Sequence, residues 1–232
     1  MASNASNTRN AIKASKASVA LIARKGGVGK TTLAGSLAVA LNKLGRRVVA
    51  LDTDPQGSLS AWAQLGSKPA ALRSLVRRLE VTDAGQLHAA IAGLEADRVL
   101  IDTPPGFDRA ALAVALVADV VLLPCGPSPL DLLATRDVLG IIEDARSRRR
   151  DKGPLVAFVP SRVTRSSLAH DLIAGLEAFG HPVLPPIWLR TAFARSAIEG
   201  RTVAEAEPRS AAAADILALA VAVERLIEKG NV

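Results

Sequence analysis

The chain has 232 residues, a hydrophobic content of 49% and an aromatic content of 3%, which fits one large α/β domain and excludes a disordered chain. Its single cysteine, Cys125, excludes an intramolecular disulfide and any metal or iron–sulfur site built only from cysteines of one chain. The net charge of +7 predicts either an anionic partner or a solvated basic surface without one.

Residues 1–17 are polar and small, carry Arg9, Lys13 and Lys16, and lack the apolar core of a secretory signal. We therefore predict a flexible, basic tail over 1–17, followed by a single domain over 18–232. Because no apolar run approaches the ~20 residues needed to cross a bilayer, we expect no membrane partner. The lone cysteine is typical of a protein in a reducing cytoplasm.

Short β-branched apolar runs alternate along the chain with longer helical patterns. The predicted strands are Val19–Ala23, Arg47–Leu51, Val99–Ile101, Val120–Pro124, Val156–Val159 and Val183–Leu184. The strongest helical patterns cover Lys30–Leu44, Pro129–Arg148, Ser166–Phe179 and Ser210–Lys229. This alternation predicts an α/β fold in which a mostly parallel, twisted sheet carries helices on both faces.

A glycine-rich segment joins the first predicted strand to the first predicted helix, and it reads Lys25-Gly26-Gly27-Val28-Gly29-Lys30-Thr31-Thr32. Glycines let backbone N–H groups close around phosphate oxygens, and the helix directs its positive end toward the same anion. We expect Lys30 to bridge the β- and γ-phosphates, Thr31 to bind Mg²⁺ and Thr32 to reach an α-phosphate oxygen. The segment predicts a P-loop NTPase, although Arg24 stands where the general pattern has its first glycine.

Carboxylates follow two further predicted strands. The strand Arg47–Leu51 leads into Asp52-Thr53-Asp54, and the strand Val99–Ile101 leads into Asp102. Because the carboxyl ends of parallel strands meet at one edge of a sheet, we expect these aspartates to lie near the P-loop. An aspartate at the end of a buried strand is typical of Mg²⁺ binding in P-loop enzymes. Taken singly, each of these aspartates also suits a turn or the cap of a helix.

With these motifs the chain resembles the ParA/MinD family of deviant Walker A ATPases, which position DNA and protein assemblies in bacteria. The resemblance runs from about Val19 to the C-terminus and covers Lys25–Thr32, Asp52–Gly57, Asp102–Gly106, Ala118–Leu130 and Leu184–Ala212. It implies that Lys25 is the signature lysine, which reaches the phosphates of a partner subunit. It also implies that Asp54 positions the attacking water. Asp52 and Asp102 would organise Mg²⁺, with Thr31 as the direct ligand.

The resemblance implies a working cycle as well. ATP is sandwiched in a homodimer, the dimer binds DNA without sequence preference, and a ParB-like or cargo-adaptor protein stimulates hydrolysis. Base contacts are implied for the loop Pro160-Ser161-Arg162 and for the loop near Pro185-Pro186. The matching DNA-binding candidates are Arg190, Arg195, Arg201 and Arg209, with solvated helix arginines as the alternative. The basic cluster at residues 146–150 suits DNA binding and stabilisation of a helix C-terminus equally well.

We therefore expect an ATPase that partitions or positions a plasmid, a chromosome region or a protein assembly, in the bacterial cytoplasm and on the nucleoid. A membrane-cycling ATPase of the MinD type is one alternative, and it requires an amphipathic C-terminal helix. The chain's terminal segment has no aromatic residue and carries Glu224 and Glu228, so we expect this helix to pack in the core. The other alternative is a metabolic ATP-dependent enzyme on the same scaffold.

Overall fold

The computed structural model describes residues 15–66, 70–81, 83–106 and 108–230. The strands in this part of the chain are β1 (Ala17–Leu21), β2 (Val48–Asp52), β3 (Val76–Arg78), β4 (Arg98–Asp102), β5 (Val120–Cys125), β6 (Leu155–Val163) and β7 (Ile187–Trp188). They form one seven-stranded sheet in the order β3-β2-β4-β1-β5-β6-β7. Every neighbouring pair is parallel, so the predicted parallel α/β sheet is confirmed.

Helices cover both faces of this sheet. They are α1 (Lys30–Lys43), α2 (Ser58–Gln64), α3 (Ala71–Leu75), α4 (Ala84–Ala92), α5 (Asp108–Ala115), α6 (Pro129–Arg148), α7 (Ser167–Glu177), α8 (Thr191–Ile198), α9 (Val203–Ala206) and α10 (Ala211–Gly230). Successive strand residues alternate between two apolar layers, so Val19 and Leu21 join one layer while Ala20 and Ile22 join the other. Burial on both faces explains why the central strands are nearly continuous apolar runs.

The observed strands differ from the predicted ones mainly at the edges of the sheet. The prediction missed β3 and β7, because β3 is an exposed edge strand with two arginines and β7 has only two residues. The predicted strand Val183–Leu184 is reduced to one bridge between Phe158 and Val183. In the predicted tail, residues 1–14 lie outside the described residues, and Ala17 is already a buried part of β1.

The C-terminal helix packs in the core, as its composition predicted. One face of α10 is buried against α1, and it includes Ile216, Leu219 and Val223. Glu224 lies on the same face and forms a buried ion pair with Arg98, with 2.6 Å between Nε and Oε1. In the described part of the chain, no helix combines the length and the apolar character needed to span a membrane.

Candidate nucleotide-binding site

The P-loop connects β1 to α1 at the carboxyl edge of the sheet. Gly27 and Gly29 have φ angles of 78° and 99°, which residues with a side chain rarely adopt. Gly29 is the N-cap of α1, and its carbonyl accepts a hydrogen bond from the Leu33 N–H at 2.9 Å. These two glycines therefore permit the tight turn that places the free N–H groups of the helix at the mouth of the loop.

The Lys30 side chain is buried at the start of α1 and is only 6% exposed. Its ammonium lies 3.4 Å from the Ala23 carbonyl and 3.5 Å from the Lys25 carbonyl, both within the loop. Burial lowers the pKa of Lys30, while the nearby carboxylates of Asp102 and Asp54 act in the opposite direction. Lys30 is thus a desolvated cation at the predicted position, beside the two carboxylates.

Asp102 ends β4 and is fully buried, and neither of its carboxylate oxygens has a partner with ordinary hydrogen-bond geometry among the described residues, although the Thr31 hydroxyl is near enough to stabilise its charge. Burial, together with the nearby carboxylates of Asp52 and Asp54, raises the pKa of Asp102 to about 7, although the Thr31 hydroxyl and the Lys30 ammonium act in the opposite direction. A buried carboxylate without a partner is costly unless a cation or a proton neutralises it. Asp102 and the nearby Thr31 hydroxyl therefore fit a divalent cation.

Asp52 and Asp54 hold the loop that follows β2. The Asp52 carboxylate is buried and accepts hydrogen bonds from the backbone N–H groups of Ser60 at 2.7 Å and Asp54 at 3.3 Å. The Asp54 carboxylate accepts from the Gln56 N–H at 2.9 Å, and Asp54 borders the cleft beside the P-loop. Asp52 thus has a structural task in the loop, in contrast to the unpartnered Asp102.

No three histidine, cysteine, aspartate or glutamate side chains gather into a ready-made metal cage in the described residues. Mg²⁺ does not require one, because it usually keeps several waters and binds one or two carboxylates together with substrate phosphates. Two threonines also fix the strand ends here: Thr53 Oγ1 donates to the Asp102 carbonyl and Thr103 Oγ1 to the Leu21 carbonyl, both at 2.7 Å. The donor set is therefore held firmly at the edge of the sheet.

A cleft of about 520 Å³ opens beside the P-loop and is large enough for a nucleotide. The cleft is lined by residues of the P-loop and of the segments after β2 and β4, and by residues of the end of β6, of β7 and of the start of α8: Gly26, Gly27, Gly29, Lys30, Thr31, Thr32, Asp54, Thr103, Ser161, Arg162, Ile187, Trp188, Leu189, Arg190 and Phe193. Ser161 and Arg162 of the predicted base-binding loop at residues 160–162 line this cleft. The sequence prediction did not include Phe193, which also lines the cleft. Its position in α8, the helix that follows β7, is the signal that would have found it.

Lys25 points away from this cleft and toward helix α6. Its ammonium forms an ion pair with Asp131, at 2.9 Å from Oδ1, in the first turn of that helix. The Lys25 side chain is 40% exposed, whereas Asp131 is 15% exposed. Arg24, beside it, pairs with Asp137 on the same helix at 2.7 Å. The structure thus separates the two loop lysines, with Lys30 in the cleft and Lys25 outside it.

The four arginines predicted to bind DNA occupy different environments. Arg190 borders the nucleotide cleft and pairs with Asp215 at 2.7 Å, and Arg201 donates to the Glu205 carbonyl at 2.6 Å. Arg195 is 65% exposed and forms a longer ion pair with Glu207, at 3.2 Å. Arg209 is exposed, just before α10. Only Arg195 and Arg209 therefore present a largely accessible side chain.

The basic cluster at residues 146–150 closes helix α6. Arg148 pairs with Asp144 at 2.7 Å, and Arg149 pairs with Asp151 and donates to the carbonyls of Ala115 and Ala118. These contacts join the end of α6 to the segment before β5, at the edge of the sheet opposite the P-loop. They favour a role for this cluster in stabilising the C-terminus of α6 over a role in DNA binding.

Comparisons with known proteins agree with this geometry. A model of the CobQ/CobB/MinD/ParA nucleotide-binding domain matches residues 19–203. Over 193 residues the chain is 35% identical to Maintenance of carboxysome distribution protein A of Halothiobacillus neapolitanus, covering 82% of this chain and 88% of that one. It is 30% identical over 226 residues to the chromosome-partitioning ATPase Soj of Thermus thermophilus, covering 83% and 89%. The fold matches that of a Cyanothece McdA variant in complex with ATP, with a TM-score of 0.74 and 19% identity over 92% of this chain and 96% of that one.

Proposed function

Because the chain belongs to the CobQ/CobB/MinD/ParA nucleotide-binding domain family, we propose that it is an ATPase of the ParA/MinD type that dimerises on ATP and positions a cargo on DNA. The observation that carries the proposal is the separation of its two loop lysines. Lys30 borders the subunit's own cleft, whereas the Lys25 ammonium lies outside it on helix α6. A lysine in the P-loop that does not serve its own cleft is suited to a neighbouring subunit.

The cofactors are ATP and Mg²⁺. The backbone of residues 25–32 and the Lys30 ammonium would hold the phosphates, and the Thr31 hydroxyl and the Asp102 carboxylate would hold Mg²⁺, with Asp52 helping to organise the site. Support comes from the unpartnered, buried carboxylate of Asp102, which a cation would neutralise. When bound, Mg²⁺ supplies charge stabilisation to the phosphoryl oxygens.

Hydrolysis requires a group that orients water, and we assign that role to Asp54. Its carboxylate borders the cleft, is 9% exposed and is fixed by the Gln56 N–H at 2.9 Å. The Lys25 ammonium of the opposing subunit supplies positive charge where negative charge develops on the phosphate, much as an arginine finger does. Hydrolysis is slow until a ParB-like or cargo-adaptor protein engages the dimer.

The dimer binds DNA without sequence preference. Arg195 and Arg209 are the most accessible of the candidate side chains, and the net charge of +7 supports an anionic partner. Contacts of this kind neutralise phosphates and release counterions, so the affinity should fall steeply as salt rises. The protein would consequently reside on the nucleoid in the cytoplasm.

The cargo we favour is a protein assembly of the bacterial-microcompartment class. The support is the 35% identity to a protein named for carboxysome distribution, compared with 30% to the chromosome-partitioning ATPase. A plasmid or a chromosome region is the other cargo that such a cycle serves. Imaging the tagged protein in its own host, with and without an ATP-cycle variant, would distinguish moving protein foci from moving DNA loci.

The dimerisation step is tested by measuring the molar mass in solution with ATP, with ADP and without nucleotide. We expect the mass to double with Mg²⁺ and ATP only. Lys30→Ala should stay monomeric in all three states, because the phosphates lose their buried cation. A wild-type protein that remains monomeric with ATP, while binding ATP normally, would exclude this mechanism.

A further inference from the structure

Arg162, at the end of β6, has an unusual backbone conformation. Among the described residues it is the one non-glycine residue with a positive φ, at 56°. It lies where the pairing of β6 with β7 shifts register, between Ser161 and Val163. The left-handed region is sparsely populated by residues such as arginine and persists where the surrounding structure imposes it, often at functional sites. The Arg162 side chain is exposed, so its own burial does not impose this conformation.

The register shift brings two consecutive side chains onto the same target. Arg162 Nη1 donates to the Gly27 carbonyl at 2.6 Å, and Ser161 Oγ donates to the Val28 carbonyl at 2.8 Å. In a regular strand, neighbouring side chains point to opposite faces, so only one of the two would reach the loop. A bulge changes that direction, and bulges of this kind are common next to active sites. The strained residue thus allows both donors to bind the P-loop.

Fixing these carbonyls also fixes the donors of the loop. In a planar trans peptide, the carbonyl of one residue and the N–H of the next point in opposite directions. The bonds to the carbonyls of Gly27 and Val28 therefore orient the N–H groups of Val28 and Gly29 away from β6. Backbone N–H groups are the phosphate ligands of a P-loop. The orientation of two of them thus depends on Ser161 and Arg162.

We propose that Arg162 is a positioning residue for nucleotide binding, which acts together with Ser161 by holding the P-loop carbonyls of Gly27 and Val28. A charged donor suits this task, since a hydrogen bond from guanidinium to a carbonyl is stronger than one between neutral groups. The inference rests on the proposed function, because it requires the loop to bind ATP. The new element is that the end of β6 preorganises the P-loop. This strand is not adjacent to β1, the strand that leads into the loop, because β5 lies between them.

The test compares three variants of the full chain by calorimetric titration with Mg²⁺ and ATP. Arg162→Asn removes the guanidinium but tolerates the left-handed backbone, and Arg162→Lys restores a cationic donor. Arg165→Asn is the matched control, since Arg165 is an exposed arginine in the turn just after β6. We expect Arg162→Asn to weaken ATP binding about tenfold, as the loss of a charged hydrogen bond does. Arg162→Lys should recover part of the affinity, and Arg165→Asn should bind like the wild type.

Melting temperatures without nucleotide distinguish positioning from a general structural role. We expect Arg162→Asn to melt within a degree or so of the wild type, because an exposed side chain adds little to the core. If Arg162→Asn binds ATP as tightly as the wild type, or if Arg165→Asn loses as much affinity, the inference is wrong. The same holds if the affinity falls only together with the melting temperature. A wild-type chain that binds no ATP would overturn the proposed function as well.

Discussion

The Lys25 ammonium lies 2.9 Å from Asp131 Oδ1, so this P-loop lysine is paired within its own subunit, on the first turn of α6. Lys25 remains 40% exposed in this pair. To act on a partner subunit, the lysine has to exchange Asp131 for phosphate oxygens. Solvent-exposed ion pairs contribute only about 0.2–1 kcal/mol, and water reaches this one from the Lys25 side, so ATP in an opposing subunit is able to displace it.

Removing Asp131 should therefore favour the exchange. We expect Asp131→Asn to increase the dimer fraction with ATP, or basal hydrolysis, by a factor of about two to five, which corresponds to up to about 1 kcal/mol. The matched control is Asp137→Asn, which removes the neighbouring ion pair of Arg24 on the same helix without touching Lys25. Equal effects of the two substitutions would argue against a specific role for the Lys25 pair. Lys25→Ala should impair hydrolysis in the wild type and in both of these variants.

The water-positioning role of Asp54 predicts a protein that binds ATP but does not turn it over. We expect Asp54→Ala to retain ATP, to accumulate as a dimer and to hydrolyse at least about a hundredfold more slowly. Asp54→Asn serves as the control for loop structure, because an amide oxygen still accepts from the Gln56 N–H. Both variants should lose hydrolysis. Undiminished turnover in Asp54→Asn would leave Asp54 with a role in the loop only.

Asp102 predicts a specific dependence of stability on pH. Its pKa of about 7 lies above the ordinary 3.8, so between these pH values the folded chain holds a proton that the unfolded chain has lost. The free energy of unfolding of the nucleotide-free protein should therefore fall as pH rises from about 4 to 7 and change little above that. Between pH 5 and pH 8 the loss from this group should be about 3 kcal/mol.

Denaturant unfolding of wild type and Asp102→Asn at both pH values measures this contribution. The asparagine variant does not titrate, so it should lack that part of the decline and should be the more stable protein at pH 8. Parallel pH profiles for the two proteins would contradict the buried, proton-binding carboxylate. Stabilisation by Mg²⁺ and ATP should grow with pH over the same range, because the cation needs the ionised form.

DNA binding should depend on the accessible arginines near α10. We expect Arg209→Glu to weaken ATP-dependent binding to duplex DNA severalfold and to flatten its salt dependence. The control is Arg148→Glu, the same charge change at the far edge of the sheet. A larger loss from Arg148→Glu would move the DNA site to the cluster at residues 146–150. Both measurements use gel shifts or anisotropy with random-sequence DNA.

The sequence predicted the centre of the sheet well and its edges poorly, for a physical reason. Strands such as β1 and β5 are buried on both faces, and their apolar runs are unmistakable. The edge strand β3 is exposed and ends in Arg77 and Arg78, so its position depends on pairing with β2 rather than on its own pattern. The P-loop was equally clear, because few sequences place those glycines, Lys30 and Thr31 between a strand and a helix.

Pairwise geometry accounts for what the sequence did not predict. Asp52 and Asp102 look alike in the sequence, since each ends an apolar strand, yet only the Asp52 carboxylate accepts backbone N–H groups. That difference arises because the chain after Asp52 turns back into α2. The contact between Arg162 and Gly27 joins residues that are 135 positions apart, so no local pattern reveals it.

The central claim is that ATP switches the protein into a DNA-binding dimer, and binding to random-sequence duplex DNA tests it most directly. The measurement compares ATP, ADP and no nucleotide across a salt series, with Asp54→Ala to prevent hydrolysis. The account predicts binding with ATP only, with an affinity that falls steeply as salt rises. Absence of binding in every state, while ATP still binds, would contradict it.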